Sequence, residues 1–188
     1  MTHRIFLLVL LTAQALIGCG GDAVSYSAPV GINLKAKSSD TVNATVTSQK
    51  GISTESGNPF KVFVDTAREK LNGRQPSRVE LASLTLTLGA ASVGVASLDE
   101  VFTGRVDILF LTEESNNTYF AGHLENPTGS GPVPFIVDFD SEAMAAEDYT
   151  RFLAGKFNVV LRGSAAPSFT SKGANVDFQS TFSFTAFE

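Results

Sequence analysis

The chain of 188 residues has one cysteine, no tryptophan, three tyrosines and two histidines. Each scarcity removes a class of chemistry. With Cys19 alone no intrachain disulfide can form, so packing must hold the folded body. His3 stands at the extreme N-terminus, leaving His123 as the imidazole available to that body. One cysteine and one such histidine fall short of the three or four ligands of a zinc site, and no His-Glu-x-x-His segment occurs. The Gly-x-Ser-x-Gly elbow of serine hydrolases is missing, as are the Gly-rich loops that cradle phosphates. The net charge of −5 and the lack of Trp give no reason to expect a nucleic-acid partner. Phenylalanine is abundant instead, at 15 residues, and Phe fills cores where exposed Trp and Tyr build ligand platforms.

Met1-Thr2-His3-Arg4 is a short basic start, and the stretch from Ile5 to Ile17 is apolar, the arrangement of an export signal. That stretch is well short of the roughly 20 residues that a membrane-spanning helix needs. It ends in Leu16-Ile17-Gly18-Cys19. This tetrapeptide resembles the lipobox of bacterial lipoproteins, in which an aliphatic residue, a small or aliphatic residue and Gly or Ala precede the cysteine. The resemblance implies that residues 1–18 are cleaved as a signal peptide recognised through Leu16, Ile17 and Gly18. It also implies that Cys19 carries a diacylglyceryl thioether and an N-acyl chain such as palmitate. Several acyl chains, at about 0.8 kcal/mol per buried CH₂, make a lasting anchor where one chain binds marginally. Asp22 comes too late to match the inner-membrane retention pattern, in which Asp follows the cysteine directly, so the outer membrane is the expected destination. The resemblance covers the leader and Cys19 and implies nothing about activity.

Residues 19–29 are small and polar and suit a flexible tether. A single domain is expected over 30–188. Ile32, Leu34 and Ala36 alternate with polar neighbours as in a half-buried strand, and 42–47 is a weaker candidate. Asn58 as N-cap, Pro59 at the first helical position, and Phe60, Phe63, Val64, Ala67 and Leu71 on one face predict a helix over about 59–71. Strand patterns return from Val79 through Leu88, over 105–112, 118–125 and 133–140, and over 157–162 and 175–187. The 105–112 strand, with Leu109 and Leu111 opposite Val106, Ile108 and Phe110, reads as central and covered on both sides. The Gly/Pro-rich run 126–132 reads as a hairpin loop, and Asp140 or Ser141 as the cap of a short helix over about 142–154. The sum is an all-β chain, an antiparallel β-sandwich of about eight strands with two helices, immunoglobulin-like or jelly-roll in topology.

Carboxylates are the remaining chemical signal. Asp138 and Asp140, two apart, would share a face at a strand end and could hold Ca²⁺ together with Glu142. The match to a calcium loop then breaks, with Ala143 where the turn glycine belongs and Tyr149 where the bidentate Glu belongs. Solvated loop charge is the simpler reading, also for Glu147 and Asp148 and for the Asp99-Glu100 and Glu113-Glu114 pairs. His123, inside an alternating run, reads as an ordinary strand residue. The expectation is therefore a non-enzymatic, lipid-anchored envelope protein without a cofactor, a structural or protein-interaction module at the outer membrane with other envelope proteins as partners. The alternatives are a surface module binding glycan or lipid, for which Tyr119 and Tyr149 are the only tyrosines in the body, and a hydrolase using His123 or the Asp138/Asp140 region.

Overall fold

The computed structural model describes residues 24–55 and 57–188; the leader and the lipobox residues Leu16, Ile17, Gly18 and Cys19 lie outside the described residues. Strand β1 (Ser25–Lys37) starts ahead of the boundary expected at Val30. Tyr26 and Ala28 extend the inward alternation of Val30, Ile32, Leu34 and Ala36, and both pack against the core. Residues 25–29, expected to be tether, are therefore strand. The small side chains around Pro29 disguise the continuation, which is set by pairing: Ser25 to Lys37 runs antiparallel to Phe187 to Asn175 without a break in register.

The other strands are β2 (Thr45–Gly51), β3 (Arg78–Leu88), β4 (Phe102–Thr112), β5 (Thr118–Glu125), β6 (Val133–Pro134), β7 (Ile136–Val137), β8 (Phe157–Ala165) and β9 (Asn175–Phe187). All pairings are antiparallel, in sheets of order β1-β9-β3-β6 and β2-β8-β4-β5-β7. The expected strand over 133–140 is one chain segment that switches sheets. Val133 and Pro134 pair with β3, whereas Ile136 and Val137 pair with β5. Phe135 N–H then donates to Leu84 O at 2.9 Å, Asp138 N–H to Ala121 O at 3.1 Å, and Phe139 O accepts from Leu81 N–H at 3.2 Å. The segment thus stitches the two sheets together along one side while Phe135 and Phe139 fill the core.

Counted with β6 and β7 as one crossing strand, the first strand pairs with the eighth, the second with the seventh, the third with the sixth and the fourth with the fifth. That is a long antiparallel ribbon rolled over itself, the jelly-roll arrangement rather than the immunoglobulin-like one. The run 126–132 is not a hairpin loop, because it leads from β5 in one sheet to β6 in the other. Its glycine is required by closeness: a Cβ on Gly131, at φ +90°, would lie 2.4 Å from Leu86 O.

Helix α1 (Pro59–Lys70) forms as its sequence dictates. Asn58 Oδ1 accepts from Lys61 N–H at 3.1 Å, Pro59 occupies the first turn, and Asn72 and Gly73 end the helix with positive φ. The short helix expected over 142–154 splits in two. Asp140 caps a 3-10 turn at Ser141–Ala143, and α2 (Ala146–Leu153) starts afresh. A further helix, α3 (Pro167–Ser171), has Pro167 in its first turn and a buried Phe169.

Twelve of the fourteen described phenylalanines are buried. Phe60 of α1 lies 4.6 Å from Phe152 of α2, 5.1 Å from Phe157 of β8 and 5.0 Å from Phe184 of β9, ring centre to ring centre. Such tilted and edge-on contacts add about 0.5–1.5 kcal/mol per pair beyond area burial. Both helices are thereby fixed to both sheets through one ring. Phe60→Ala should lower unfolding stability by about 3–5 kcal/mol, read as a shifted urea midpoint at constant slope; a loss under 1 kcal/mol would deny the ring this role.

Candidate functional site: an apolar row on one outer face

The outer faces of the two sheets differ in chemistry. On the four-stranded sheet the register places Asn33, Gln179 and Thr87 in one row across β1, β9 and β3, then Gly31, Thr181 and Thr85, then Pro29, Ser183 and Ser83. Such a surface is made for water. On the five-stranded sheet Val160 of β8, Leu109 of β4 and Phe120 of β5 form a row of neighbours, with Leu111 next along β4. All four are half-buried and none belongs to the core cluster. β4 is central in its sheet, as expected, but Leu109 and Leu111 are not sealed by a second layer. Ile136 of β7, opposite His123, is 63% exposed and extends the patch.

A bulge sets the composition of this face. Ile108 pairs with Gly122 but Leu109 pairs with Phe120, so Ala121 is the extra residue on β5. Phe120 and His123, three apart, therefore share the outer face, with ring centres 6.0 Å apart. Strict alternation would have put them on opposite faces. The Nδ1 of His123 is buried and has no hydrogen-bond partner among the described residues. At one end of the row the Arg105 guanidinium lies 5.4 Å from the Phe120 ring centre and 2.6 Å, through Nε, from Asp107 Oδ1. Arg105, Asp107, Arg162, Thr45 and Ser164 surround a shallow depression of about 380 Å³ there.

The carboxylates singled out in the sequence do not act as a pair. Asp138 is exposed, whereas Asp140 is half-buried and turned to its own backbone and to Arg78. Asp140 Oδ1 accepts from Glu142 N–H at 2.9 Å, and Oδ2 lies 3.5 Å from Arg78 Nη1. Glu142 stands 3.9 Å from the same guanidinium and Glu80 2.9 Å from its other nitrogen. The strand end assumed for both is split between the sheets, because Asp138 follows β7 and donates to Ala121 O, whereas Asp140 bridges Glu80 of β3. Among the described residues no three His, Cys, Asp or Glu side chains gather as a metal site. Ser141, a possible cap, accepts instead from Val79 N–H at 2.8 Å.

Asp148, read from the sequence as solvated loop charge, is instead buried at 1% exposure. Its Oδ2 accepts from Asn117 Nδ2 and from the Tyr119 hydroxyl, both at 2.7 Å, and its Oδ1 from Arg151 Nη1 at 3.0 Å. These donors, Asn117 foremost, hold the carboxyl well below the usual carboxylate range despite its burial. Burial pushes the Tyr119 phenol up, and donation to Asp148 adds to the rise. The cluster ties α2 to the turn between β4 and β5, and only the spacing of Asp148 and Phe152 on one helix face hinted at it. The other acidic pairs also hold loops: Asp99 accepts from Gly129 N–H, Glu100 meets Lys172, and Glu114 meets Arg151.

No protein-family model matches this chain, and no curated protein matches it in sequence.

The Asp148 cluster sets a pH dependence. A carboxyl depressed in the folded state stabilises above its unfolded value near pH 4, and that stability drains away as the pH falls through the folded value. Asp148→Asn should cost about 2–4 kcal/mol at pH 7 and flatten the acid limb of a stability-against-pH profile below about pH 4. An unchanged acid limb would count against the cluster.

Proposed function

We propose that this chain is a lipoprotein held on the outer membrane by lipid on Cys19, whose sandwich serves there as a non-enzymatic structural or protein-interaction module. The observation that carries the reading is Leu16-Ile17-Gly18-Cys19, a full lipobox ending in the sole cysteine of the chain. What supports the interaction part is the contrast between the outer faces, with water-suited Thr, Ser, Asn and Gln on one and the Val160-Leu109-Phe120 row on the other. Phe120, with the Arg105 guanidinium over its ring at one end of the row, is a pair of the residue types that protein interfaces favour. An envelope protein offering a complementary apolar strand or loop is the partner this face suits.

The anchor is tested by metabolic labelling with palmitate and mass spectrometry of the mature N-terminus. The expected result is cleavage before Cys19, a diacylglyceryl thioether with N-acylation, and loss of label and of membrane fractionation in Cys19→Ser. An unmodified Cys19, or cleavage elsewhere, would refute it.

The interaction face is tested separately by cross-linking in intact cells. Leu109→Asp, on the outer face and clear of the core, should abolish specific adducts while moving the unfolding midpoint by less than a core substitution would. Persistence of the same adducts would remove this face from the proposal.

A further inference from the structure

We infer that the surface formed by α1, α2 and the link between α1 and β3 rests on an anionic phospholipid bilayer, so that the sandwich stands with a fixed end toward the membrane. This rests on the anchor reading of Cys19. It adds which part of the folded body meets lipid.

Reach decides which end of the sandwich meets the membrane. Cys19 precedes Ser25 by six residues, and six residues span at most about 20 Å. β1 itself is about 40 Å long, so a lipid on Cys19 brings the end of the sandwich holding Ser25 to the bilayer and keeps the Lys37 end away. Ser25 pairs with Phe187, which pairs with Arg78, so the start of β3 and the end of β9 share that end. Ser77 N–H donates to Phe187 O at 2.9 Å, Glu188 N–H to Val24 O at 3.0 Å, and Arg74 pairs with Glu188. Helix α1 belongs to the same end, since Phe63 stacks on Tyr26 with ring centres 5.9 Å apart. Helix α2 joins it through the Tyr149 hydroxyl, which donates to Pro76 O at 2.8 Å.

Two properties of this surface fit lipid. Between the helices lies a groove of about 480 Å³, lined chiefly by apolar atoms of Val64, Pro76, Tyr149, Leu153 and Ala154, with Lys61 at its rim. The charge around it runs against that of the molecule. Residues 59–78 carry Lys61, Arg68, Lys70, Arg74 and Arg78 against Asp65 and Glu69, and α2 adds Arg151 against Glu147 and Asp148, an excess of two cations in a chain of net charge −5. Lys61 is paired with Asp65, Arg74 with Glu188 and Arg78 with Glu80, whereas Arg68 and Lys70 are exposed and make no ion pair among the described residues. Arg68 lies seven residues from Lys61 and so on the same flank of α1, beside the groove. Cations around an apolar groove, brought close by a short leash, give headgroup phosphates and acyl chains their respective partners.

The absence of tryptophan makes a clean test. The lipidated chain is reconstituted as Gln75→Trp and as Ala154→Trp, both exposed positions lining the groove, and as Val93→Trp, which is 63% exposed. Val93 bridges Asn175, the partner of Lys37, at the far end. The vesicles contain phosphatidylglycerol with acyl chains brominated near the headgroup, and mass spectrometry reports the state of Cys19 in the same samples. The expected result is at least a twofold loss of emission for Gln75→Trp and Ala154→Trp and little for Val93→Trp. In phosphatidylcholine vesicles, or with Arg68→Glu and Lys70→Glu added, the loss should shrink toward the Val93→Trp level. Equal quenching of all three variants, none at the groove, or no difference between the two lipids would overturn the inference while the anchor stands. An unmodified Cys19 would overturn the anchor, and the inference with it.

Discussion

The pairing of β1 with β9 is the constraint on which the rest of the structure depends. It joins the first described strand to the last over thirteen matched positions, Ser25 with Phe187 through Lys37 with Asn175. Because β9 also pairs with β3, its inward residues Phe178, Phe182, Phe184 and Ala186 have a strand on either side. A one-residue slip would turn that whole set to water, so burial fixes the register and the register fixes the sheet. The other three pairings follow inward like nested hairpins, and rolling the ribbon stacks the second and fourth pairs on the first and third. Contacts so distant in sequence must close long loops before they gain anything, which favours slow, cooperative folding over piecemeal assembly.

A rolled ribbon leaves open sides and ends, and phenylalanine with the helices closes them. Phe60 and Phe152 reach from α1 and α2 to Phe157 and Phe184, one on each sheet, while Phe102 and Phe178, 5.5 Å apart, form a separate stack on β4 and β9. The two described phenylalanines left at the surface are each near an arginine: Phe187 has the Arg78 guanidinium 4.3 Å from its ring centre, and Phe120 has Arg105. Cation–π contact at an exposed ring is worth about 0.5–1 kcal/mol and leaves one ring face available. Asp148 does for α2 by charged hydrogen bonds what Phe152 does by packing, and the two lie on the same face of the helix.

Elements whose periodicity expresses one burial surface were legible in the residues: α1 with its cap, β9 and the inward face of β4. What escaped reading was set by pairing rather than by pattern. Residues 133–140 alternate cleanly, yet the alternation reports that Phe135 and Phe139 point inward and is silent on which sheet takes each hydrogen bond. The bulge at Ala121 adds one residue without changing composition, so nothing local told that Phe120 and His123 share a face. The Ser25 end of β1 was hidden by Pro29, which an edge strand tolerates where a central one would not. Asp148 looked like its exposed neighbour Glu147, because the donors that bury it come from Asn117 and Tyr119, some thirty residues earlier. The lipobox stands apart, as a local signal whose meaning does not pass through the fold.

Taken together, the two proposed surfaces impose a geometry on each other. With the α1 and α2 end against lipid, the strands stand steeply to the bilayer and the outer face of the five-stranded sheet becomes a side wall. The Val160-Leu109-Phe120 row then faces along the membrane plane, where a second anchored or embedded protein diffuses in two dimensions at a matching height. Confinement to a plane raises effective concentration without adding a contact, so a patch of modest apolar area can suffice for association there that it could not sustain in solution. That is a physical reason for a sandwich to carry an apolar row on one outer face while the other is plainly polar. It also explains why such a role needs no converging acids and bases: the fold's contribution is orientation, and fold alone names no chemistry.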